Sequence, residues 1–216
     1  MQLVSLVGAV GAASAALIAW LAHVGTGWGA TAQEQVQRLP GDDIFGAGVT
    51  RTTNAITIHA PAAAIWPWLV QMGQGRGGFY TYTWVENLLG AHITNLDSID
   101  PALQSLEVGD RIWLTPRTYL GRPGQAWTVV EIVPEFALVL VQKPPANPMA
   151  TTWTLALLPS GAGTRLLSRH CSPRPETTAK RAVSTFWAAG DFVMGRGMLR
   201  GIKQRAEALP SAAAGR

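Results

Sequence analysis

Alternation of apolar and polar positions marks where the folded part of the chain begins. In NAITIHA, residues 54–60, Ile56 and Ile58 share one face, which predicts a strand. The pattern then changes in PAAAIWPWLVQMG. Ile65, Leu69 and Met72 recur at i, i+4 and i+7, and Pro61 suits a helix start, so residues 61–73 predict a helix. Pro67 removes one backbone bond within it and predicts a kink. Thr83 and Glu86 have the spacing of a capping box for a second, short helix that Gly90 closes. VGDRIWLTP predicts a short strand. QAWTVVEIV and FALVLVQK flank a Pro134-Glu135 turn, and TTWTLALL and TRLLSRHC flank the turn PSGAG. Successive hairpins of this kind build an antiparallel sheet.

From Glu176 to Ala208 the period becomes 3.6. Val183, Phe186, Trp187, Val193, Met194 and Met198 gather on one side of a long helix, with Arg181, Arg196, Arg200 and Lys203 on the other. Gly190, Gly197 and Gly201 lie within the apolar stripe. Each costs roughly 1 kcal/mol relative to Ala, so the face they share is expected to need room, for a close backbone or for a ligand. The closing PSAAAGR reads as a frayed tail over residues 209–216.

The other end of the chain has no period. No Asp, Glu, Lys or Arg precedes Glu34, and Leu3–Val24 would span roughly 33 Å as a helix, close to a bilayer's hydrocarbon thickness. Trp20 and Trp28 lie near its exit. The small residues Ala30-Thr31-Ala32 resemble a cleavage site, but there is no basic leader and the apolar run is long. The expectation is an uncleaved single-span anchor over residues 1–27, held in the membrane through residues 3–24, with neither side of the membrane favoured. Residues 28–53 read as a polar linker and residues 54–208 as the folded domain.

Composition sharpens this. Hydrophobic residues make up 48% of the 216 and charged residues only 14%, below the usual quarter; a membrane segment or a large buried surface is called for. Lys and Arg number 17 against 13 Asp and Glu, but they form no dense block, so no nucleic-acid partner is expected. Cys171 is the only cysteine, which excludes an intramolecular disulfide. One Cys and four scattered His give no metal-ligand spacing, so no metal is expected.

The least ordinary stretch is QMGQGRGGFY. Gly73, Gly75 and Gly78 have the spacing of a dinucleotide-binding loop. Such a loop follows a strand and opens a helix; here Gly73 follows a helix and no βαβ unit is present. The nucleotide reading is rejected, and no cofactor is expected. The glycines then serve a chain reversal between two helices, and Arg76 is free to donate to carbonyls or to a ligand oxyanion.

With those elements in place, ITIHAPAAAIWPWLVQMGQGRGGFYTYTWVENLLG, LEVGDRIWL and DFVMGRGMLRGIKQRAE together resemble the SRPBCC superfamily, whose members include START and polyketide-cyclase-like proteins. Within it they are similar to membrane-associated bacterial members. The resemblance covers residues 28–208 and implies an α+β helix-grip fold: an antiparallel sheet wrapped around the long C-terminal helix, with a hydrophobic cavity between them. It implies no single chemistry and no shared catalytic set.

The candidate lining follows from the elements. Trp113, Trp127 and Trp153 lie on strands and Trp187 on the helix stripe; Trp84, Tyr80 and Tyr82 belong to the loop and short helix at the cavity mouth. Arg76 and Arg111 are candidates to hold a polar end, and Glu86 and His170 to move a proton. Each has an ordinary alternative: tryptophans pack cores, Glu86 caps its helix, Arg111 is solvated, and His170 is structural. No nucleophile motif, paired carboxylates or triad is present.

Three functions stay open. The first is a tethered binder or carrier of a hydrophobic small molecule such as a lipid, quinone or polyketide. The second is a cyclase-, dehydratase- or hydrolase-like enzyme using the same cavity. The third is a partner-binding module with a filled core. The pattern does not specify an oligomeric state.

Overall fold

The computed structural model describes residues 2–88, 90–143 and 150–208; the tail expected over 209–216 lies outside them. The helices are α1 (Gln2–Val24), α2 (Ala32–Val36), α3 (Ala62–Val70), α4 (Thr83–Leu88) and α5 (Thr178–Ala208). The strands are β1 (Val49–Ile58), β2 (Arg111–Trp113), β3 (Thr118–Tyr119), β4 (Arg122–Pro123), β5 (Ala126–Val133), β6 (Ala137–Gln142), β7 (Thr151–Ser160) and β8 (Gly163–Pro173).

Six strands form one antiparallel sheet in the order β1-β8-β7-β6-β5-β2; β3 and β4 pair separately as a small hairpin. The chain therefore builds one edge first, crosses through α3 and α4, and fills the sheet back from the other edge by hairpins. A register shift at Val129/Glu131 of β5 bends that strand. α3 runs through Pro67 and begins after Pro61, which is its N-cap. This is an α+β protein with a six-stranded antiparallel sheet and a long terminal helix.

One sheet face carries Ile58, Leu166, Leu155, Leu157, Leu138, Leu140, Val129 and Ile112. They bury with Ile65, Trp68, Leu69 and Met72 of the α3 segment and with Met198, Leu199, Ile202 and Ala206 of α5. The C-terminal half of α5 is thus closed tightly on the sheet. Two of the stripe glycines explain how. A Cβ on Gly201 would stand 1.9 Å from the carbonyl oxygen of Tyr80, and one on Gly197 2.6 Å from Thr81 Oγ1. Gly201 makes room for the Tyr80 backbone and Gly197 for the Thr81 and Tyr82 side chains. Gly190 has nothing within 4 Å of that position.

The opposite face is covered by residues N-terminal to β1. Thr53 and Ala55 donate their N–H groups to the carbonyls of Thr26 and Trp28, which caps the β1 edge. Leu39 packs on Ala55, Ala156 and Leu167. Arg169 of β8, fully buried, binds Asp42 Oδ2 at 2.7 Å, Thr53 Oγ1 at 2.9 Å and the carbonyls of Glu34 and Gln37. Arg165 binds Glu34 Oε2 at 2.7 Å and the Gly29 carbonyl. α2 is held by a complete capping box between Thr31 and Glu34.

The membrane anchor is a correction. Among the described residues no helix is long and apolar enough to cross a membrane, so the single-pass location expected through residues 3–24 is withdrawn. α1 forms and packs along α5. Gly25 at its end abuts Phe192, and the guanidiniums of Arg196 and Arg200 lie over the ring of Trp28 at 5.3 and 5.7 Å.

Candidate functional site

The N-terminal half of α5 is not closed on the sheet. Val183, Phe186 and Trp187 are exposed there, with Trp187 58% accessible. The strand ends beneath carry an aromatic group. Trp153 of β7 and His170 of β8 occupy directly paired positions, and their rings stack with centroids 5.4 Å apart and planes 13° off parallel. Trp127 of β5 meets both, at 5.4 Å from Trp153 and 5.9 Å from His170. Trp153 Nε1 donates to Ser168 Oγ at 2.9 Å. Trp127 Nε1 is buried and has no hydrogen-bond partner. Alternation places these rings on the same face as Leu140 and Leu155, and Trp127 and Trp153 are buried at the margin of that core.

Asp191 lies on the core-directed side of α5. It precedes Met198 by two turns on one side of the helix, and Met198 is buried against the core. Asp191 is accessible to water, yet desolvation pushes its carboxyl up to about 6. His170 repeats the combination: half-buried, with burial pushing its imidazole down to about 4. At neutral pH burial keeps it uncharged.

Glu86 adds a third such group. Its Oε2 is buried with no hydrogen-bond partner, and burial pushes the carboxyl up to about 7. That oxygen closes no capping box; the Glu86 N–H donates to the Tyr82 carbonyl at 3.4 Å. The residues just before α4 meet the middle of α5, Thr81 Oγ1 beside Met194 Sδ and Tyr82 against Gly197.

The candidates separate into three places. Trp127, Trp153 and His170 come together on the sheet, with Trp187 on the facing half of α5 and Glu86 on the flanking helix. Tyr82 and Trp84 are accessible, Trp84 at 71%. Tyr80 is in the core. Its hydroxyl donates to the Trp68 carbonyl at 3.0 Å, its ring meets Trp68 edge-on, and burial pushes its phenol up to about 12. Arg76, Arg111 and Trp113 form a separate group on the other side of β2, since Ile112 between the last two points into the core.

Asp191 was not a sequence candidate. The available signal was a lone carboxylate two turns before Met198 within an apolar stripe. Among the described residues no group of three or more His, Cys, Asp or Glu could hold a metal.

No family model matches this chain, and no curated protein does. Solved structures similar to it include protein MLL2253 from Mesorhizobium loti, with 17% identity over 74% of this chain and 99% of that one and a TM-score of 0.44. The Aha1 dimer from Colwellia psychrerythraea gives 16%, 74%, 97% and 0.42. The di-domain ARO/CYC StfQ of the steffimycin biosynthetic pathway gives 15%, 74%, 51% and 0.45. This chain's own topology, a strand, two helices, an antiparallel run and a long terminal helix, is consistent with a helix-grip fold. Identities and scores this low carry no ligand and no activity over to it.

Proposed function

We propose that this protein binds a hydrophobic small molecule in the recess between the N-terminal half of α5 and the aromatic end of the sheet. The observation that carries the reading is the Trp127–Trp153–His170 cluster with its orphan Trp127 Nε1, beneath a half of α5 whose apolar residues are exposed. Apolar surface entering such a space contributes roughly 25 cal/mol per Å². The orphan Trp127 Nε1–H offers one donor to a ligand acceptor. Glu86, raised to about 7, is partly protonated at neutral pH and supplies a second. Small-molecule sites combine an apolar wall with a few such polar groups.

The test is native mass spectrometry with organic extraction on protein purified from its own source. A single co-purifying apolar species supports binding; an empty protein that also refuses a panel of neutral lipids, quinones and polyketides contradicts it.

A second reading, catalysis, is favoured by one observation: the carboxyls of Glu86 and Asp191 are held near 7 and 6, the range of a general acid or base. Turnover separates the two readings. Product formation that disappears in Glu86→Gln or Asp191→Asn while affinity is kept identifies an enzyme. Bound ligand recovered unchanged identifies a carrier.

A further inference from the structure

The glycine-rich loop after α3 builds something other than the recess. Gly73 and Gly78 exchange both backbone hydrogen bonds at 3.0 Å, closing the loop on itself. The Gln74 N–H donates to the Trp113 carbonyl at 2.7 Å, which fastens the loop to β2. Gly78, at φ +77°, stands where any Cβ would be 2.3 Å from Asn95 Oδ1. The outcome is the placement of Arg76. Its guanidinium donates to the carbonyls of Leu103 at 2.8 Å and Val70 at 3.2 Å, while its Nε is buried without a partner.

Arg76 lines a cavity of about 380 Å³ together with Leu106, Asp110, Arg111, Trp113 and Arg117. The guanidiniums of Arg111 and Arg117 lie over the Trp113 ring, 5.9 and 5.5 Å from its centroid. A cation held on an indole face keeps its outward N–H donors free and loses less freedom when it binds. The charge in this cavity is not balanced. Arg38, Arg51, Arg165, Arg169 and Arg205 each pair with a carboxylate. Among the described residues, Arg76, Arg111 and Arg117 have no such partner. Asp110 is the only acid on the lining, and its Oδ2 accepts the Glu107 N–H at 2.9 Å.

From this arrangement we infer that the loop and β2 form a binding site for the oxyanion of a small molecule, a carboxylate or a phosphate, independent of the recess. Three guanidiniums without counter-ions present fork-shaped donors that match either group. Arg76 fixes the floor, and Arg111 and Arg117 close from the rim. The volume admits a small anion with part of its carrier, not a polymer.

The probes are inorganic phosphate and benzoate, each titrated into the full chain at constant ionic strength, with sodium chloride as the blank. The readout is the Trp113 indole resonance. Saturable movement with either probe supports the site, and the tighter probe identifies the anion as phosphate or carboxylate. Arg117→Gln and Arg111→Gln, both at exposed positions, are expected to keep the melting temperature and to weaken binding about tenfold each. Arg76→Gln removes two loop anchors and is read only if its melting temperature holds. The inference is overturned if neither probe moves Trp113 beyond the chloride blank, or if binding is unchanged in both rim variants. A failed recess leaves this outcome untouched, because Trp113 and Trp127 report on opposite sides of β2.

Discussion

Gly201 of α5 lies directly beneath the backbone of Tyr80: a Cβ there would stand 1.9 Å from the Tyr80 carbonyl oxygen. Tyr80 has φ of +58°, so the chain turns sharply at the point where the helix presents no side chain. This contact seats the loop on α5 and fixes where the closed half of the core ends and the open half begins.

Two glycine substitutions in one helix are therefore expected to have opposite signs. Gly201→Ala drives a methyl group into the Tyr80 backbone and should cost about 2–3 kcal/mol, seen as a lower urea midpoint at unchanged m. Gly190→Ala meets nothing within 4 Å and should gain about 0.5–1 kcal/mol from helix propensity alone.

The segment over the sheet face opposite the core should fail as a unit. Asp42 and Arg169 are an almost fully buried pair at 2.7 Å. Asp42→Asn leaves a buried guanidinium without its counter-ion, and a loss of about 3 kcal/mol is expected. Limited proteolysis should then cut first between residues 30 and 45. A variant cut first elsewhere would show that this pair does not hold the segment down.

Titration of the recess should divide by sign. His170 is depressed from 6.5 to about 4. Its contribution to stability is present above 6.5 and is lost as pH falls toward 4. His170→Gln should flatten that acid limb of the melting-temperature profile. Glu86 and Asp191 are raised, from 4.5 to about 7 and from 3.8 to about 6. Their contributions are present below the ordinary carboxylate values and are lost as pH rises through 7 and 6. Glu86→Gln and Asp191→Asn should remove this alkaline-side decline, each melting higher than the parent at pH above about 7.

How much of this was legible in the sequence depends on which partner each residue needed. The strand pairs around Pro134-Glu135 and around residues 159–163 were legible because alternation and turn residues are local. So was the 3.6 period of α5. The glycine stripe was legible only as a need for room. Gly201 meets the backbone of Tyr80, Gly197 the side chains of Thr81 and Tyr82, and Gly190 meets nothing; only the docking of that loop distinguishes them. The segment before β1 reads as a linker because it is polar, yet its polar atoms bind Arg165 and Arg169 on strand positions that alternation assigns to the solvent side. Asp191 was masked by the stripe around it, and Trp113 and Arg111 were placed correctly on one face but without the knowledge that Ile112 is the residue pointing inward. The apolar N-terminal run read as a bilayer span because hydropathy does not register the neighbouring helix.

The central claim is that the aromatic end of the sheet is a ligand wall. It is tested most directly by following the indole N–H resonances while a neutral apolar probe, N-phenyl-1-naphthylamine, is added. The account predicts saturable, one-to-one movement of Trp127 and Trp153, with Trp68 in the closed core and Trp113 beyond β2 unmoved. It also predicts that Asp191→Trp, which fills the recess from the helix side, abolishes the movement without lowering the melting temperature. Movement confined to the exposed Trp84 and Trp187, or none at saturation of the probe, would contradict it.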